Sequence, residues 1–321
     1  MSLLPFICFY GGKWRDAPNY PAPVFDRVFE PFAGGAGYST RHHTRDAAGP
    51  GHDQALRCAK ASTMTDQVQM FERPTKIVVG FSGGVTSAWC AGWALRNYPR
   101  EDVVLLWHDT KEEHPDTYRF LREMAAALDT PITERSDGRS VTELFRDEGF
   151  LGNNQNAMCS RILKIEQGDK YFAELRAQGF DAVKVLGYSV REWQRMQRAQ
   201  ARAEKHGYRV AFPVAMEKVS KQETADWCIS KGVRPSAMYE WAEHANCPGC
   251  VKGGKAYWLA VAQHMPEVYA QRSGLESEFG HGILRGGDRE HHLLKDLVQI
   301  GLKRTVNPRE AIDIGACECG D

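Results

Sequence analysis

One stretch constrains this chain more than any other: Ile77-Val78-Val79-Gly80-Phe81-Ser82-Gly83-Gly84-Val85-Thr86-Ser87-Ala88. A short β-branched run, a serine–glycine–glycine turn and a helix start follow one another without a spacer, the grammar of a buried strand feeding a helix. Glycines let a backbone approach an anion closely, and the N–H groups of a helix N-terminus face that anion with the helix dipole behind them. Ser82, Thr86 and Ser87 add hydroxyls. The segment therefore reads as a phosphate cradle. It is not the Walker pattern, because no Gly-Lys-Ser/Thr follows at the required spacing. A tight strand–helix turn with N-capping serines fits the same residues, and the loop alone leaves both readings open.

The surrounding chain repeats the alternation. Val103–Trp107 and Val183–Leu186 read as further buried strands, and Thr86–Asn97 and Asp116–Leu128 as helices. Strands alternating with helices at this spacing imply a parallel sheet covered on both faces, an α/β fold whose ligand sits beyond the carboxyl ends of its strands. On that rim fall Asp109 of His108-Asp109-Thr110, then Pro115-Asp116-Thr117, and Gly187-Tyr188. Asp109 serves either the ligand or the cap of its own loop. Arg191, Arg195, Arg198, Arg202, Lys205 and Arg209 follow, read either as forks for phosphate oxygens or as a solvated helix face. Beyond Phe212-Pro213 the chain is predominantly helical. A capping box at Ser220–Glu223 opens one helix, Lys255–His264 and Pro266–Phe279 read as two more, and Glu290–Ile300 as a short last one.

Composition sets the outer bounds. At 321 residues the chain has room for about two domains. Lys+Arg and Asp+Glu are both 41, so the surface as a whole is not a polyanion grip, although a local basic patch remains open. No apolar run approaches the roughly 20 residues of a membrane span, and Met1–Tyr10 lacks the basic start and cleavage site of a signal peptide. The expectation is a cytoplasmic protein with no membrane partner. Of nine cysteines, Cys247-Pro-Gly-Cys250 and Cys317-Glu-Cys319 carry spacing, whereas Cys90 and Cys228 fall inside expected helices as small core residues. The Cys247–Cys250 pair suits zinc or an iron–sulfur cluster, with the remaining ligands drawn from Cys317 and Cys319, or from Cys159 with one of the two.

Taken together, Ser82-Gly83-Gly84-Val85-Thr86-Ser87, Asp109-Thr110 with Pro115-Asp116-Thr117, and Gly187 with its downstream arginines resemble the PP-loop superfamily. Within it they are similar to the phosphoadenosine-phosphosulfate (PAPS) reductase family, in the variety common in phage genomes. The resemblance covers residues 75–275, including Cys159-Ser160-Arg161-Ile162-Leu163-Lys164 and Cys247-Pro-Gly-Cys250-Val-Lys-Gly-Gly. It implies a Rossmann-like parallel sheet of the adenine nucleotide α-hydrolase type over residues 75–240 and a helical, cysteine-containing region over 241–321. It also implies an adenine nucleotide (PAPS, APS or ATP) held by Ser82, Gly83, Gly84, Thr86, Ser87, Asp109, Lys164, Gly187, Arg191 and Arg195. Related APS reductases hold a four-iron cluster with a tandem cysteine pair and a distant CxxC. Here Ser160 breaks the tandem pair, which leaves Cys159, Cys247, Cys250 and Cys317 as the candidate ligand set for a cluster or zinc.

Glu318-Cys319-Gly320 resembles the C-terminal motif whose thiolate attacks sulfur in sulfonucleotide reductases. That makes Cys319 the candidate nucleophile, with a thioredoxin-like thiol reductant as partner, although the family's following Leu/Ile-His is absent. ATP pyrophosphatases of the superfamily carry Asp where this chain has Thr86. Its loss removes a magnesium contact and speaks against ATP cleavage, the one reaction here that would call for magnesium. The expectation is an enzyme reducing a sulfonucleotide to sulfite. An ATP-dependent adenylylating sulfurtransferase acting on nucleic acid is the first alternative, and an inactive nucleotide-binding remnant the second. At the other end, Phe9–Arg15 and Glu30-Pro31-Phe32-Ala33-Gly34-Gly35-Ala36-Gly37 resemble the start of a DNA adenine methyltransferase. No Asp-Pro-Pro-Tyr follows anywhere in the chain. Residues 1–45 therefore read as a truncated fragment without methyl transfer, and 46–74 as a linker.

Overall fold

Five strands lie side by side in one all-parallel sheet, and the order in which the chain visits them creates a crevice. The computed structural model describes residues 73–285 and 291–300. The methyltransferase-like fragment, nearly all of the expected linker, and Cys317 and Cys319 lie outside these residues. The chain runs β1 (Thr75–Gly80), α1 (Val85–Asn97), β2 (Val103–His108), α2 (Pro115–Ala127), β3 (Ile132–Arg135) and α3 (Val141–Asp147). A π-helical turn at Ser160–Ile165 leads into α4 (Glu166–Ala177), β4 (Asp181–Val185), α5 (Trp193–His206) and β5 (Arg209–Ala211). Then come α6 (Pro213–Met216), α7 (Lys221–Ser230), α8 (Lys255–His264) and α9 (Pro266–Phe279). A two-residue antiparallel pair, β6 (Leu284–Arg285) and β7 (His291–His292), precedes α10 (Leu294–Ile300).

The sheet order is β3-β2-β1-β4-β5. From β1 the chain builds outward on one side, then returns to lay β4 against the other edge of β1, pairing Ile77 with both Val103 and Val183. A reversal of this kind opens a crevice beyond the strand ends between β1 and β4.

Alternation along the strands fills both faces. Ile77, Val79 and Phe81 point into one core with Trp89, Leu121 and Cys228 from α1, α2 and α7. Val78 and Leu106 point into the other with Phe172 of α4 and Met196 and Ala199 of α5. Cys90 and Cys228 are fully buried, as their helical positions implied. A third cluster joins Leu144, Phe145, Ile162 and Leu163 to Trp258, Val261 and Leu275, so the C-terminal helices pack on α3 and the π-helical turn.

The expected central strands are present, with β4 beginning at Asp181 rather than Val183. The last helix begins at Leu294 rather than Glu290. Strands β3 and β5 and helices α3 and α4 were not anticipated. The two strands are edge elements of four and three residues, too short to show a period. Of the basic run after Gly187, Arg195, Arg198, Arg202 and Lys205 lie on α5, which buries Met196, Ala199 and Ala203 and ends on left-handed Gly207, whereas Arg191 precedes the helix and Arg209 opens β5.

Candidate functional site

The glycine loop closes on itself through Ser87. The Ser82 N–H donates to Ser87 Oγ (3.2 Å), and that hydroxyl donates to the Gly84 carbonyl (2.8 Å). Gly83 sits at φ +83°, and a Cβ there would stand 2.5 Å from Thr117 Cγ2, so the turn requires glycine. The 13-residue helix α1 starts at Val85 with no acidic residue in its first turn, which leaves its positive end uncompensated by the helix's own side chains. Gly187 follows the strand next door, β4. A Cβ there would lie 3.0 Å from Thr86, so glycine lets the two loops abut.

Below this loop lies an open cleft of about 650 Å³, counting the solvent at its mouth. Its walls come from the carboxyl ends of β1, β2 and β4, the segments that follow them, and the end of the π-helical turn before α4: Ser82 and Ser87, Trp107 and His108, Lys164, Lys184, and Gly187 with Tyr188. Two lysines face it, and among the described residues none that lines it is acidic. Lys164 is held from behind by buried Glu113 (3.2 Å), which also accepts from Thr110 Oγ1 (3.1 Å). His108 Nε2 is buried against Gly168 without a hydrogen-bond partner. Burial, with Lys184, Lys164 and Arg135 adding to it, lowers the His108 pKa to about 3, so the ring is neutral at physiological pH.

Of the residues expected to hold a nucleotide, Ser82, Ser87, Lys164 and Gly187 line this cleft, and Gly83, Gly84 and Thr86 complete its loop. Asp109, Arg191 and Arg195 do not line it. Asp109 caps its own loop: it accepts from the Lys111 N–H (2.9 Å) and Tyr118 Oη (2.8 Å) and pairs with Lys111 Nζ (2.8 Å). Burial alone would raise its carboxyl, but these partners outweigh burial and hold it below the usual range. Arg195 pairs with Glu192 (2.7 Å) and lies 4.5 Å over the Tyr188 ring, so it braces the cleft wall from outside.

Pro115-Asp116-Thr117 is a brace as well. Asp116 accepts from the Ala237 N–H (2.6 Å) and pairs with Arg119, whose guanidinium hydrogen bonds are the main cause of a carboxyl pKa of about 2. Thr117 meets Ser236 (3.0 Å). The segment so held carries Tyr239, whose hydroxyl oxygen accepts from the Val85 N–H (3.1 Å) at the loop itself. Tyr239, His108 and Lys184 escaped the sequence reading. Lys184 alone left a signal, as the one cation in the interior of an otherwise buried strand.

The cysteines stand beside the cleft. Cys159, Cys247 and Cys250 line one narrow cavity with Thr110, Ser160, Lys164 and Lys252, and Lys164 lines both this cavity and the cleft. Among the described residues no group of three His, Cys, Asp or Glu side chains is placed to hold a metal ion. The described residues thus do not by themselves form the cluster or zinc site expected from the spacing. The turn that carries Cys247 and Cys250 is anchored by Arg272 of α9. Its fully buried guanidinium donates to the Gly249 carbonyl (3.1 Å) and to Thr142 Oγ1 (2.8 Å) and pairs with Glu112. Glu112 in turn accepts from the Thr142 N–H (2.8 Å) at the start of α3.

Comparison with known proteins places this geometry. The chain is 47% identical over 58 residues to the uncharacterized nin region protein ORF290 of Escherichia phage lambda, a stretch covering 17% of this chain and 20% of that protein. It is also similar, at 22% identity and a TM-score of 0.27, to phosphoadenylyl-sulfate (PAPS) reductase from Candida auris, solved as a phosphate complex. That match covers 45% of this chain and 63% of the other. The chain thus spans about a fifth of the phage relative and less than two thirds of the fungal reductase. Residues 76–245, more than half of the sequence and the part that contains the whole cleft, match the phosphoadenosine phosphosulfate reductase domain, and the chain belongs to that family.

Proposed function

We propose that the cleft binds an adenine nucleotide carrying a sulfonyl group and that the protein reduces it to sulfite. One observation carries the reading: a cleft at the reversal of strand order with no acidic residue among the described ones that line it, with the Ser82–Ser87 loop on one side and Lys164, shared with a cavity that Cys159, Cys247 and Cys250 line, on the other. The loop and α1 hold the phosphate, the lysines neutralise the remaining negative charge, and neutral His108 adds none of its own.

In the step so inferred, a cysteine thiolate attacks the sulfonyl sulfur and the bond from that sulfur to the nucleotide oxygen breaks. The nucleotide leaves as PAP or AMP, and the sulfonyl group stays on the cysteine as a thiosulfonate. A dithiol reductant then attacks the cysteine sulfur. Sulfite leaves with the bonding pair, and the reductant's second thiol attacks the mixed disulfide so formed, closing the reductant's own disulfide and releasing the cysteine thiolate. Cys319 is the nucleophile that the C-terminal motif suggests. Cys247 and Cys250, both buried beside Lys164, form the second part of the sulfur-handling site.

Anaerobic product analysis tests the proposal. PAPS, APS and ATP are offered in parallel with magnesium, a dithiol and nucleic acid. PAP with sulfite from PAPS, or AMP with sulfite from APS, is the expected result, lost in Cys319→Ser with nucleotide affinity retained. AMP and pyrophosphate from ATP would overturn it in favour of adenylylating sulfur transfer, and no turnover of the three would leave a binding protein.

A further inference from the structure

Two helices fix the turn that joins Cys247 to Cys250. Pro248 and Gly249 are its two central residues. Tyr257 Oη of α8 donates to the Pro248 carbonyl (2.8 Å) and stands 3.3 Å from that of Cys247. Arg272 of α9 takes the Gly249 carbonyl, and a Cβ at Gly249 would stand 2.6 Å from that guanidinium. The Cys250 carbonyl accepts from the Gly253 N–H (3.0 Å). Every carbonyl from Cys247 to Cys250 is thus engaged, and the spacing of the two ends is set. The ends of such a turn lie within about 7 Å of each other, and a disulfide joins Cα atoms about 4.4–6.8 Å apart.

The surroundings suit a pair that reacts. Both cysteines line the cavity shared with Cys159, Ser160 and Lys252, and Lys164 lines that cavity and the cleft alike. Lys252 donates to the uncharged Ser160 hydroxyl (3.2 Å), a bond that does not neutralise its positive charge. Thiol–disulfide exchange runs through the thiolate, which a neighbouring cation favours. A tetrahedral metal would need two ligands beyond the pair. Among the described residues, no group of three His, Cys, Asp or Glu side chains is placed to hold one. A disulfide needs the pair alone. The electron count agrees: sulfonyl sulfur becomes sulfite by gaining two electrons, and a dithiol closing to a disulfide releases two.

We infer that Cys247 and Cys250 form a redox pair, opening and closing as one disulfide, and that this pair is the dithiol that resolves the thiosulfonate. The redox pair stands on the turn, and its resolving role rests on the reduction proposed above. One thiolate of the pair attacks the cysteine sulfur of the thiosulfonate. Sulfite leaves with the bonding pair, and a mixed disulfide remains. The other cysteine, its proton lost to solvent, attacks its neighbour's sulfur in that mixed disulfide. The Cys247–Cys250 disulfide forms, and the nucleophilic cysteine departs as a thiolate. A soluble dithiol recharges the pair by the same exchange, becoming a disulfide itself.

The first measurement uses the full chain without nucleotide, equilibrated anaerobically in mixtures of reduced and oxidised dithiothreitol, then unfolded, alkylated and digested with trypsin. The peptide between Lys231 and Lys252 holds both cysteines and no other. It should pass from doubly alkylated to unalkylated, and lighter by two hydrogens, as the mixture turns oxidising, and return when the mixture is reversed. The second measurement offers PAPS or APS to reduced protein freed of reductant. About one sulfite per chain is expected, with that peptide oxidised. Cys247→Ser with Cys250→Ser should still release PAP or AMP but keep the sulfonyl group on the protein as added mass. AMP affinity at the parental value reports that the variant is folded. A peptide that stays alkylated in every mixture would overturn the redox pair, as would zinc or iron bound in fixed ratio to the chain and lost in the double variant. Sulfite from the parent with the peptide still reduced would overturn the resolving role. A pair that opens and closes in a protein yielding no sulfite even with added dithiol would overturn the reduction and leave the redox pair standing.

Discussion

At the scale of single residues, the cleft depends on positions that admit only one kind of atom. Gly83 is the sharpest case. Its left-handed backbone and its closeness to Thr117 leave no room for a methyl group. Gly83→Ala should cost more than about 1 kcal/mol in urea denaturation and weaken AMP binding together with it. A variant of parental stability would show that the loop is not held as described. His108 makes a prediction of the opposite kind, about charge rather than space. Its folded pKa is about 3, against 6.5 for a free imidazole. Between those values the unfolded chain takes up a proton that the folded chain refuses. The sign follows: His108 makes stability fall as pH drops from about 6.5 toward about 3. His108→Gln removes that proton, so the loss of urea midpoint between about pH 7 and about pH 4.5 should be smaller in the variant. An equal loss would mean that the ring protonates freely in the fold.

At the scale of elements, what could be read from the chain and what could not divide along contact range. β1, β2 and β4 were legible because each concentrates β-branched and apolar residues, and α7 because Ser220 and Glu223 form the capping box that their spacing announces. Ser82, Ser87 and Lys164 stand out through motif resemblance, and all three line the cleft. Asp109 and Pro115-Asp116-Thr117 were legible as important but not as to purpose. Which of two jobs a buried aspartate does is decided by Lys111 and Tyr118 folding back onto it, and no local pattern encodes that. Tyr239 and Arg272 were invisible, since each acts on a backbone group supplied by a different element. Arg272→Met should therefore destabilise the protein by about 3–5 kcal/mol, because Glu112, Thr142 and the Gly249 carbonyl all lose a buried partner. It should also speed alkylation of Cys247 and Cys250, since the turn that buries them loses its anchor. An unchanged alkylation rate would confine Arg272 to stability alone.

At the scale of the whole molecule, every described residue lining the cleft falls between Gly80 and Tyr188, and its outer brace ends at Tyr239. A chain of residues 73–321 should thus bind AMP with the affinity of the full protein. A clear loss in calorimetry would show that the first 72 residues contribute to the site. The parallel sheet carries a further consequence, for the order of events on the ribosome. β1 is central and pairs with β4 more than a hundred residues later in sequence, the kind of distant closure that slows folding. Gly187 and Tyr188 reach the Ser82–Ser87 loop only when that closure is made. The cleft is consequently a late product of synthesis: a nascent chain that has already completed β1, α1 and β2 still exposes their apolar edge and cannot yet grip a nucleotide. Mutations that weaken β4 should then appear first as poor yield of soluble protein, before any defect in the chemistry of the molecules that do fold.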